Sequence, residues 1–141
     1  PFVWTYFIGN SYSMMVLFSK FLGAPFLLGD TYPYRVGQAN GWDETKWHSV
    51  FPWFASDLTF IGTLFLFTLV AYLYAQVWKE AYRYGNPLSI VLFSVFTLGL
   101  VYVPANNQLL HSPEGFISIF ILLSTWLLFH KKYNFLLPVK R

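Results

Sequence analysis

The run Leu58–Trp78 contains no charged residue. About 20 residues rising 1.5 Å each match the ~30 Å hydrocarbon core of a bilayer, so this run reads as a membrane-crossing helix. The rest of the chain agrees with that reading. Of 141 residues, 56% are hydrophobic and only 11% are charged, against about 25% charged in soluble domains. Too little polar surface is present to cover a water-soluble core.

Two further apolar runs, Leu88–Val103 and Gly115–Phe129, supply a second and a third span. The segment Lys79–Pro87 between the first two is a short polar turn, and Pro87 suits the first position of the next helix. Lys131 and Lys132 stop the third span, and the tail to Arg141 is basic. The expected fold class is an all-α integral membrane protein, a polytopic helix bundle with about three spans.

Residues 1–57 form an external or interfacial region. Gly9, Asn10, Lys20, Gly23 and Pro25 interrupt residues 1–29, so no clean span fits there. Met14–Leu22 is a short helix that Gly23-Ala24-Pro25 ends, interfacial or re-entrant, with a short, tightly packed true span as the alternative. Residues 30–50 read as a loop, because Pro33, Gly37, Asn40 and Gly41 break any regular period. The chain opens on an apolar stretch without a basic leader, which suggests the C-terminal part of a larger multi-pass membrane domain.

Charge placement orients the bundle. Lys79, Arg83, Lys131, Lys132, Lys140 and Arg141 fall on one side; Arg35 and Lys46 fall on the other, with Asp30, Asp43, Glu44 and Glu114. The positive-inside rule makes the first side cytoplasmic, C-terminus included. The 30–50 loop and the 104–114 loop then face outward.

No chemistry-bearing motif of high specificity is present. There is no Cys, no HExxH, no glycine-rich phosphate loop and no basic stripe for nucleic acid. No cofactor or metal is expected. His130 reads as a boundary residue, and Leu58–Val103 as essentially free of ionisable groups inside paired spans.

The candidates that remain lie on the outer face. Arg35 carries a planar guanidinium suited to phosphate oxygens, and it equally suits a headgroup contact or a salt bridge to Asp30. Asp57 at the start of a span is either a helix cap, along with Ser56, or an ionisable group marking a functional site. Tyr32, Tyr34, Trp42 and Trp47 are placed for a membrane-interface belt or for stacking on sugar rings. Asn106, Asn107 and Gln108 offer amides to sugar hydroxyls, and serve turns just as well.

In order along the chain stand Tyr6-Phe7-Ile8-Gly9, the aromatic Tyr32–Trp47 loop, Asp57 with Gly62 behind it, two closing spans and a basic tail. This order resembles the C-terminal part of the Wzy-type oligosaccharide repeat-unit (O-antigen) polymerases. Thr59 stands where that family's pattern has a glycine soon after the Asp, and Lys46 where one would follow Arg35.

The resemblance implies a metal-independent, GT-C-type membrane glycosyltransferase of the bacterial inner membrane. It would move a growing glycan from polyprenyl pyrophosphate to an incoming lipid-linked repeat unit. It implies Arg35, supported by Lys20 or Lys46, as the cation for pyrophosphate, and Asp57 or His48 as the base. The aromatic loop residues would hold sugar. Membrane lipid, further N-terminal helices of the same chain and a chain-length regulator are the implied partners. An O-antigen ligase-like transferase, a transporter or flippase subunit, and a structural scaffold are the alternatives.

Overall fold

The computed structural model describes residues 4–5, 7–23, 32–41, 49–105 and 108–136. Every regular element among them is helical. A 3-10 turn, Ile8–Asn10, leads into α1, Tyr12–Leu22. Ser11 caps α1 by accepting from the Met14 N–H, and Gly23 closes it at φ 60°. This is the short helix expected from the sequence, and glycine ends it because a left-handed residue there needs no Cβ.

Helix α2, Tyr32–Asn40, corrects the expectation of a loop over 30–50. Pro33 falls in its first turn, where a missing N–H is not needed. Gly37 is buried on this helix, so a residue read as a breaker is where the helix packs closely.

Helix α3, Val50–Tyr84, contains one break, at Thr59 (φ 65°, ψ 169°). The expected start of the span near Leu58 therefore coincides with a real discontinuity, and a helical lead precedes it. At its other end α3 runs through Lys79–Tyr84, corrected from a polar turn. Only Gly85 (φ 62°) and Asn86 separate it from α4, Pro87–Tyr102. The Asn86 side chain accepts from the Leu88 N–H, and Pro87 is the first helical residue as expected.

A single turn, α5 (Gln108–His111), sits inside the expected outer loop. Helix α6, Pro113–Leu136, begins before Gly115 and continues past Lys131 and Lys132, beyond the expected stop.

Among the described residues, two helices are long and apolar enough to cross a membrane. Val50–Tyr84 reaches a mean hydropathy of 1.9 and Pro113–Lys131 reaches 1.4, each with 6% of the apolar window buried in the chain. A core helix of a soluble protein would be mostly buried, so this exposure favours lipid as the solvent. Helix α4 is apolar but shorter. Its 16 residues cover about 24 Å.

Helix α3 packs on α4, and α4 on α6. Val77, Leu92 and Trp126, one from each helix, form the core where they meet. At the opposite end the Val50 N–H donates to the Val103 carbonyl (3.1 Å), tying the start of α3 to the end of α4.

Candidate functional site

Asp57 is 3% exposed and lies two residues before the break in α3. Its carboxylate does not cap α3. The N-cap position of α3 is Ser49, and the part after the break begins at Thr59, whose hydroxyl accepts from the Gly62 N–H (3.4 Å). The capping role expected for Ser56 or Asp57 thus belongs to Thr59.

Asp57 turns instead to a segment about fifty residues earlier. The Thr5 N–H donates to Oδ1 (2.6 Å), and the Thr5 hydroxyl lies 2.8 Å from both carboxylate oxygens. The Phe7 N–H (3.2 Å) and the Asn10 amide (3.1 Å) donate to Oδ2. A buried carboxylate is costly unless paired or bonded, and here backbone and side-chain donors together meet that demand.

The segment is shaped for this contact. Phe7 adopts φ 67° without being glycine. The Gly9 N–H donates to the Thr5 hydroxyl oxygen (3.0 Å). A Cβ on Gly9 would lie 2.0 Å from that oxygen, so glycine is required there by space. Next to it, the Ser11 hydroxyl donates to the His111 carbonyl (3.1 Å), joining α1 to α5. The His111 ring lies edge-on to Trp53.

Arg35 reaches the same place from α2. Its Nη2 donates to the hydroxyl of Ser56, the residue before Asp57. The structure thus gathers Arg35 and Asp57, far apart in sequence, at one end of α3. The guanidinium is bonded to the residue that precedes the buried carboxylate in sequence.

Other residues singled out from sequence fall elsewhere. Tyr34 is exposed on α2, and Lys20 is exposed near the end of α1. Gln108 opens α5 and is half-buried. Tyr32 opens α2, with its side chain outside the described set. Trp42, Lys46, Trp47, His48, Asn106 and Asn107 lie outside the described residues. Among the described residues, no three His, Asp or Glu side chains gather as a metal ion requires.

A second polar cluster lies at the far end of the bundle, and it corrects two expectations. Glu80 is buried between three helices. The Ser89 hydroxyl (3.0 Å) and the Trp126 indole N–H (2.9 Å) donate to Oε2, while His130 Nδ1 lies 2.7 Å from Oε1. His130 is therefore part of an interhelical cluster and not a boundary residue, and the paired helices do enclose an ionisable group. The available signal was Trp126 with His130, four apart on one face of an apolar helix, since a buried indole N–H needs an acceptor.

Thr5 and Asn10 carried no comparable signal, being small polar residues in an irregular stretch. No family model matches the chain, and no curated protein or solved structure is significantly similar to it.

Proposed function

We propose that this chain forms part of a membrane glycosyltransferase of the Wzy-like kind, polymerising lipid-linked oligosaccharide repeat units on the outer face of a bacterial inner membrane. The observation that carries this reading is the meeting of Thr5–Asn10 with Asp57. Two stretches that resemble separate motifs of that family form one hydrogen-bonded unit, with Arg35 bonded next door. A further point supports it: Thr59, where the family pattern has glycine, adopts a positive φ that favours glycine.

In this proposal Arg35 stabilises the charge that develops on the leaving pyrophosphate. Donors surround the Asp57 carboxylate, so its part is to hold the 5–10 turn against α3. The base for the acceptor hydroxyl passes to His48, immediately before Ser49. Aromatic residues between Tyr32 and Trp47 hold the sugar, and the C-terminus is cytoplasmic.

The test is Arg35→Ala in the producing cell, read by gel analysis of surface polysaccharide. The expected result is loss of long chains, with single repeat units still attached to lipid A. Normal chain lengths at normal protein abundance overturn the proposal. Lipid A with no repeat unit at all points to a ligase instead.

One observation favours a second reading, a transporter subunit. Glu80 and His130 form an ionisable pair inside the bundle, and such groups often mark ion pathways. Glu80→Gln would then block translocation and leave unexported repeat units, with no change in polymer length among those exported.

A further inference from the structure

We propose that the end of α3 binds an anionic phospholipid, with the phosphate between Lys79 and Arg83 and the acyl chains against the exposed face of the same helix. The inference needs only that α3 crosses a membrane, and does not depend on the transferase reading.

Trp78, Lys79, Tyr82 and Arg83 line one pocket of about 250 Å³. All four come from two successive turns of α3, and all four are exposed. Lys79 and Arg83 stand four residues apart, which makes them neighbours on the helix surface, with Cβ atoms about 5–6 Å apart. Like charges at this spacing repel, and an anion between them removes the repulsion.

The described residues supply no such anion. Glu80 lies between the two cations in sequence, but its carboxylate is turned inward onto Ser89, Trp126 and His130. No ion pair joins Lys79 or Arg83 to a described residue. The pocket is therefore a patch of uncompensated positive charge.

Its depth and its apolar side favour a lipid over a soluble anion. Helix α3 resumes after its break at Phe60, and Trp78 lies about 27 Å further along at 1.5 Å per residue. That is close to the ~30 Å hydrocarbon core of a bilayer, so a span starting at the break brings the pocket to headgroup depth. Trp78 and Tyr82, also four apart, form the apolar side of the pocket, and such rings gather at that depth. Beyond them the same face continues through Ala75, Ala71, Thr68, Leu64 and Ile61, all exposed and uncharged. Acyl chains leaving the pocket can follow that row. A free phosphate would meet the two cations and leave the aromatic rim and the row bare.

The experiment is native mass spectrometry of the full-length protein in detergent, supplied with phosphatidylglycerol or with phosphatidylcholine of identical chains. Phosphatidylglycerol is expected to be retained preferentially. Each of Lys79→Gln and Arg83→Gln should weaken that retention roughly fivefold, the contribution of one cation near an anionic lipid. Both positions are exposed and Gln is a good helix former, so the double variant keeps the fold.

Two controls separate this site from other sources of the same preference. Lys131→Gln removes an exposed charge on α6 that does not line the pocket, and it should leave retention unchanged. Excess glycerol phosphate should fail to displace the lipid. Equal retention of the two lipids, or a preference that survives the double Gln variant, overturns the proposal. So does an equal loss in Lys131→Gln, which would make net charge the cause, or displacement by glycerol phosphate, which would make the ligand a soluble phosphate.

Discussion

At the scale of single residues, two positions govern the end of α3. Asp57 gathers donors from Thr5, Phe7 and Asn10. Removing it strands buried N–H groups, each costing about 1–3 kcal/mol. Asp57→Ala is therefore expected to lower stability by at least ~3 kcal/mol, measured as reduced resistance to thermal unfolding in detergent. Thr59 has the opposite character. Its backbone sits at φ 65° and ψ 169°, a region essentially reserved for glycine. Thr59→Gly should raise stability by about 1 kcal/mol, after loss of the Thr59 hydroxyl's contact with the Gly62 N–H. The same thermal assay reads it, and a fall in midpoint would refute the strain argument.

Helices are the next scale, and here the Glu80 cluster decides how α3, α4 and α6 are joined. A carboxylate that accepts from Ser89 and Trp126 and faces His130 locks the three helices in register at one level. Replacing it by Ala leaves the indole and hydroxyl donors without their acceptor. Breaking such a buried set typically costs about 3–5 kcal/mol. Glu80→Ala should therefore speed amide hydrogen exchange along α6 around Trp126, while exchange in α1 is unchanged. Glu80→Gln, which keeps an acceptor oxygen, should show a smaller effect. Equal exchange in all three proteins would mean that apolar packing of Val77, Leu92 and Trp126 alone joins the helices.

For the molecule as a whole, the two polar clusters lie at opposite ends of α3. From Phe60, just after the break at Thr59, to Glu80 the helix rises about 30 Å at 1.5 Å per residue, the thickness of the hydrocarbon core of a bilayer. Arg35 belongs to the first end and Lys131 to the second. The 141 residues contain no Cys, so a cysteine introduced among them marks one position. Gln38→Cys on α2 is expected to react with an impermeant thiol reagent applied outside the cell, and Lys131→Cys only after lysis. The reverse pattern would invert the orientation and remove the outer-face assignment of Arg35. Reaction of both from outside would end the membrane-spanning reading.

What could be known from the chain alone was whatever depends on near neighbours in sequence. The charge-free run behind Asp57, the glycine stop at Gly23 and the Asn86-Pro87 start all held, because helix length, capping and hydropathy act over a few residues. The helix in residues 32–40 was hidden, since its glycine and proline look like breakers until packing places them. Folding alone decided which donors surround Asp57, that Arg35 meets Ser56, that Thr59 bears the break, and that Glu80 turns inward onto His130. Each of these pairs residues between about twenty and fifty positions apart, or strains a backbone that only such pairs can hold. A polar residue carries no mark in sequence of the partner that will satisfy it.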